Sequence, residues 1–152
     1  MAPLRRRLAR LATLRGRDGR VIAESLATLL VVQPALHLID FPRLLAWSSA
    51  PLRTRDTGAP ARWSEDEVRR VTWLVGLAAK ITRARCLSTS LALSRVLARR
   101  GVPTDLRIGV EPGQGRLQAH AWLEWRGAVL NDHPNNLRRY APFDRPIGVR
   151  NV

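Results

Sequence analysis

Apolar residues follow two different periods along this chain, and the change from one to the other divides it. From Leu4 to Leu45, leucines and valines recur every three or four positions, the spacing of one helix face. Gly16 to Gly19 is a turn signal and Pro34 a break, so this stretch predicts two or three helices and no strand. Ser48 to Pro60 (SSAPLRTRDTGAP) has no apolar periodicity and reads as a linker or surface loop. Ser64-Glu65-Asp66-Glu67 then has the form of a capping box with three acids on the positive end of a helix dipole. It predicts a helix from Glu65 to Lys80 whose inner face is Val68, Val71, Leu74, Val75, Leu77 and Ala78. After the polar break Thr82-Arg83-Ala84-Arg85, a second helix runs from Cys86 to Arg100. Gly101 is its left-handed cap, and Pro103 prevents continuation.

The period then falls to two, in Asp105 to Val110 and again in Leu117 to Trp125, with Pro112-Gly113-Gln114-Gly115 as the turn between them. A third strand, Ala128 to Asp132, follows Arg126-Gly127. Helices followed by an antiparallel meander make an α+β fold. The expected organisation is an N-terminal helical region with its linker (1–60) and a core (61–152), together one compact domain of 152 residues.

Charge sharpens the picture. Twenty-five arginines and one lysine stand against 12 acids, a net +14 that favours polyanions or acidic peptides as partners. Nucleic-acid binding is therefore a rival reading, but the arginines are dispersed and no helix-turn-helix, zinc or RNP pattern is legible. One cysteine cannot form an internal disulfide. With three scattered histidines it makes no close-paired zinc set, so a reducing, cytoplasmic setting without metal or cofactor is expected. The apolar run Val21 to Ile39 is interrupted by Glu24, Gln33, Pro34 and His37, so no transmembrane helix is expected, and no compact signal-peptide core follows the basic start.

Three residues form a constellation that could carry chemistry. Cys86 opens a helix, where unpaired N–H groups, the dipole and neighbouring Arg83 and Arg85 favour a thiolate, and its own N–H could be one oxyanion donor. His120 lies within a strand, facing the same way as Trp122 and Glu124. Asp132 ends the next strand, and the hairpin register decides whether the two meet. With a three-residue loop, Trp125-Arg126-Gly127, Asp132 is opposite His120; with a two-residue loop His133 takes that place and Asp132 turns away. We take the three-residue register, which gives a nucleophile, a base and an orienting acid. Trp47, Trp63 and Trp73 read as packing residues, His37 as a core histidine, and Glu124 as a solvated strand residue.

The stretches Ala84-Arg85-Cys86-Leu87-Ser88, Arg99-Arg100-Gly101-Val102-Pro103, Leu106 to Val110, Ala119-His120-Ala121-Trp122 and Asp132 together resemble the transglutaminase-like leader peptidases of lasso peptide biosynthesis, over roughly residues 65 to 135. The resemblance implies a papain/transglutaminase-like core bearing a Cys-His-Asp triad. It also implies a cysteine protease that cuts the leader from a ribosomally made precursor peptide, before an ATP-dependent cyclase closes the macrolactam. Some members carry a fused N-terminal leader-recognition domain. The helical first 60 residues here imply the stand-alone form, which needs a separate leader-recognition protein, and Arg5 to Arg20 are candidates to dock that partner or an acidic leader. No GxxxxGKS motif makes this chain the ATP user.

Overall fold

A computed structural model of the chain describes residues 16–50, 63–112 and 117–142. Most of Arg5 to Arg20, of the linker and of the turn after Pro112 therefore lies outside the described residues. Helices α1 (Gly16–Leu38), α2 (Phe41–Ser49), α3 (Glu65–Ile81) and α4 (Cys86–Ala98) precede β1 (Asp105–Pro112), β2 (Leu117–Trp125) and β3 (Ala128–Val129). A single-turn helix α5 (Pro134–Leu137) and the short β4 (Ala141–Pro142) follow. The sheet order is β3-β2-β1-β4 and every pairing is antiparallel: the expected meander, plus a returning strand on the free edge of β1. This is an α+β fold.

Local chemistry explains the well-foreseen elements. The capping box forms as read, the Ser64 hydroxyl accepting from the Glu67 N–H while the Glu67 carboxylate accepts from the Ser64 N–H at 2.9 Å. Those hydrogen bonds hold the Glu67 carboxyl below its ordinary range, against a small opposing effect of desolvation. Gly101 adopts φ 73°, the left-handed conformation that stops a helix.

The N-terminal stretch departs from expectation. Gly16 to Gly19 is the first turn of α1, and Pro34 sits inside α1 without ending it. Pro34 is on the solvent side, and the carbonyl it cannot serve belongs to the exposed Leu30, so water can take the lost bond. By length and composition α1 could cross a membrane. In the fold its Leu29, Val32 and Ala35 are buried, and α1 packs on α3 and α4.

The main core joins Val32, Ala35, Leu44 and Leu45 from α1 and α2 with Val68 and Val75 of α3, Leu91, Leu93, Val96 and Leu97 of α4, and Leu106, Ala121, Leu123 and Trp125 of the sheet. Ion pairs clamp α1 to this core: Asp18 with Arg70 of α3 at 2.6 Å, and Glu24 with Arg99 and Arg100 beyond α4 at 3.1 and 2.7 Å. Trp63 packs against the core and donates Nε1–H to the Arg100 carbonyl at 2.8 Å, tying the start of α3 to the end of α4. His37, expected in the core, is exposed in the last turn of α1.

Candidate active site

Cys86 is the first residue of α4. The turn before it is tight: Arg83 takes φ 54° and the Ala84 N–H reaches back to the Ala79 carbonyl at 2.9 Å, the six-residue closure that normally employs glycine. The N-cap is Arg85, whose side chain has no acceptor to offer, and no side-chain cap forms, so the first-turn N–H groups stay available to an anion.

The direction of α4 sets where Cys86 lies along the sheet. Ser94 meets Thr104 just before β1, and Ser90 donates to the Ala121 carbonyl, opposite Ile108, at 3.1 Å. Moving from Ser94 to Ser90 therefore moves along β1 and back down β2, and one further turn brings Cys86 to the His120 side of Ala121.

Ala121, Leu123 and Trp125 face α4, as the alternation requires, while His120, Trp122 and Glu124 project from the opposite face. Trp122 is nevertheless buried, because Tyr140, brought back by β4, covers this face. The His120 ring lies 5.0 Å from the Tyr140 ring and 6.2 Å from the Trp122 ring, near-parallel to both. Gly109 pairs with His120 across the strands, and a Cβ there would stand 3.0 Å from both Trp122 Cη2 and Tyr140 Cβ. The glycine makes room for the aromatic cover. Glu124, expected to be solvated, instead accepts from Arg107 at 3.0 Å and from the Trp122 indole N–H at 3.1 Å.

The hairpin register expected above is wrong. Trp125 pairs with Ala128 and Glu124 with Val129, so the loop is the two-residue Arg126-Gly127, with φ 51° and 78° as a type I′ turn needs. Yet Asp132 still meets His120: its Oδ2 lies 2.5 Å from Nε2. The reason is that β3 stops at Val129, whereas the sequence reading carried it to Asp132. Leu130 donates to the Leu123 carbonyl, but the Leu123 N–H is taken at 2.8 Å by the Asn131 side-chain carbonyl in place of a backbone one. The chain leaves the ladder there. Strand parity no longer governs Asp132, which swings over the open edge of β2 to reach the His120 ring.

Asn131 also donates to Ser90 Oγ at 2.9 Å, so one buried network joins α4, β2 and the Asp132 segment. Asp132 is held by more than His120. Burial pushes its carboxyl up, but hydrogen bonds from the Asn136 amide and the His133 N–H, with those and the charge of His120, outweigh burial and leave it below the usual carboxylate value.

The structure thus brings His120 and Asp132 together, and among the described residues no hydrogen bond joins Cys86 to either. Cys86 is partly buried against the core on the α4 face, and among the described residues its sulfur makes no hydrogen bond. His133, the alternative partner, instead caps α5, its ring Nδ1 accepting from the Asn135 N–H. Among the described residues no three His, Cys, Asp or Glu side chains converge as a metal ion would require.

Sequence reading missed Asn131, Asn136, Tyr140 and Gly109. Only Gly109 left a usable signal, since an isolated glycine in a strand marks a close approach.

These features sit on a recognisable framework. The family model described as the transglutaminase-like superfamily matches residues 29–145, more than half of the chain, and the chain belongs to that superfamily. Over 55 residues it is 40% identical to the microcin J25-processing protein McjB of Escherichia coli. That segment is 36% of this chain and 26% of the relative, so the match spans about a quarter of McjB. No solved structure matches.

Proposed function

We propose that this chain is a cysteine protease that removes the leader from a ribosomally made lasso precursor peptide before macrolactam closure, with Cys86, His120 and Asp132 as its triad. The observation that carries the reading is the His120–Asp132 pair, whose histidine is mounted on the strand that packs against the helix opened by the chain's one cysteine. Membership of the transglutaminase-like superfamily and the partial similarity to a microcin-processing protein support it.

Because Asp132 occupies Nε2, the other ring nitrogen, Nδ1, is left to serve the thiol. In the reaction His120 Nδ1 takes the proton from Cys86 Sγ as the sulfur attacks the scissile carbonyl carbon. The same proton then passes to the departing amine, and the leader's acyl group is left as a thioester. Water, deprotonated by His120, attacks the thioester, releasing the leader carboxylate and restoring the thiol. The uncapped first turn of α4 offers N–H groups to the tetrahedral oxyanion. Asp132 orients the ring and stabilises its charged form. The separate leader-recognition protein would raise the local precursor concentration by tethering, and an ATP-dependent cyclase would consume the product.

Mass spectrometry of candidate precursor peptides incubated with the chain and its partner tests this directly. Leader and core should appear with the mass of one added water, whereas an amine adduct would mean acyl transfer. Cys86→Ala and His120→Ala should each abolish the products while His133→Ala retains them. Cleavage by Cys86→Ala at the wild-type rate would refute the assignment.

A further inference from the structure

A cleft of about 500 Å³ lies between α3, α4 and residues 130–132, and Asp132 forms part of its wall. Along α3 it is lined by Arg69, Trp73, Gly76 and Lys80, residues spaced to share one helix face. From α4 it is lined by Thr89 and Leu93, which share a face with Cys86. The run from Arg69 to Lys80 is about 16 Å at helical rise, room for about five residues of extended chain.

Two features of this cleft are unaccounted for by the fold. Gly76 sits in the interior of α3, where glycine is unfavourable, yet a Cβ added there would meet nothing within 4 Å. Packing within the described residues does not require it, and the space above it is open. The walls pair apolar Trp73, Leu77 and Leu130 with the exposed cation Lys80, which has no ion-pair partner among the described residues, whereas Arg69 is already paired with Glu65. The one acid lining the cleft, Asp132, is committed to His120, Asn136 and His133.

We propose that this cleft is a specificity subsite: it seats an extended segment of the peptide substrate over Gly76, with a bulky apolar side chain between Trp73 and Leu130 and a neighbouring acidic residue facing Lys80. The proposal rests on the peptidase reading for its catalytic consequence, but its binding test does not.

Binding is measured with the intact Cys86→Ala protein, following Trp73 fluorescence, with Trp73→Phe as the blank. The probes are octapeptides Ac-Gly-Ser-Gly-Leu-Asp-Gly-Ser-Gly-NH2 and its single replacements of Leu by Ser and of Asp by Asn. The parent peptide should bind at least about threefold more tightly than either replacement, and Lys80→Ala should erase the preference for Asp over Asn. Gly76→Leu should weaken the parent peptide at least about tenfold, and in the active protein should raise KM for precursor by a similar factor with kcat within about twofold. Gly76→Ala should raise Tm by about 2–4 °C.

Equal binding of the three peptides, or undiminished binding by Gly76→Leu, would overturn the subsite. A drop in Tm for both Gly76 variants would show the cleft filled by the chain itself and overturn it equally. Peptide selectivity without any precursor cleavage by the wild type would uphold the cleft and refute the peptidase.

Discussion

At the scale of single residues, His120 and Asp132 are the centre of the proposed site, and the hydrogen bonds around them make its behaviour testable. The Asp132 carboxyl is depressed in the folded state, so its contribution to stability is present above the unfolded value of about 3.9 and is lost as pH falls through the lower native value. Urea midpoints of wild type and Asp132→Asn should therefore differ at pH 6 and converge as pH falls below about 4; a pH-independent difference would deny the carboxylate its partners. In the proposed mechanism the acid orients the ring without carrying its proton, so Asp132→Asn should also keep a residual cleavage rate where His120→Ala keeps none. Asn131 is the less obvious residue. Asn131→Ala strands the buried Leu123 N–H and removes the donor to Ser90, and should cost about 2–3 kcal/mol by chemical denaturation. Retention of full stability would mean water replaces the amide.

At the scale of elements, the turns decide where the site residues come to rest. Arg126 holds φ 51° in a type I′ turn whose favoured pair is Asn-Gly. Arg126→Asn should raise stability by up to about 1 kcal/mol without changing activity, less whatever is lost from the guanidinium stacked 4.6 Å over Trp125. A loss of stability would show that the stack outweighs the backbone strain. The same logic shows why β3 was misjudged. The apolar run Ala128-Val129-Leu130 is compatible with a strand, but the Asn131 side chain competes with the backbone for the Leu123 N–H and ends the ladder early. β4 was missed because two residues carry no period, and α5 because a single turn carries none either.

For the whole molecule, we propose that the described helices and the sheet fold as one cooperative unit, since Val32 and Leu45 share a core with Leu97 and Leu123. Val32→Ala and Leu97→Ala should both lower one common unfolding midpoint, by about 1–2 kcal/mol for the valine and 2–5 kcal/mol for the leucine. Fluorescence and far-ultraviolet dichroism should trace the same transition. Two separate transitions would mark the N-terminal helices as an independent domain. Arg95 shows how closely the parts are fitted: burial, with the charge of nearby Arg99, lowers its pKa, yet it donates to the Trp47 and Ala50 carbonyls at the end of α2.

The linear sequence was sufficient wherever the controlling interaction is local. The Ser64–Glu67 box, the Gly101 cap, the start of α4 at Cys86 and the alternation that turns His120 away from Ala121 all depend on residues within four positions of one another, and all stand as read. Long-range contacts decided the rest. Pro34 is tolerated because its face of α1 is solvated, Gly109 is needed because Tyr140 returns across the sheet, and Asp132 finds His120 although the hairpin has the register that turns it away. Period and propensity place side chains relative to their own element. Only packing between elements, here the Asn131 amide set between β2 and Ser90 of α4, decides where an element stops and which side chains then meet.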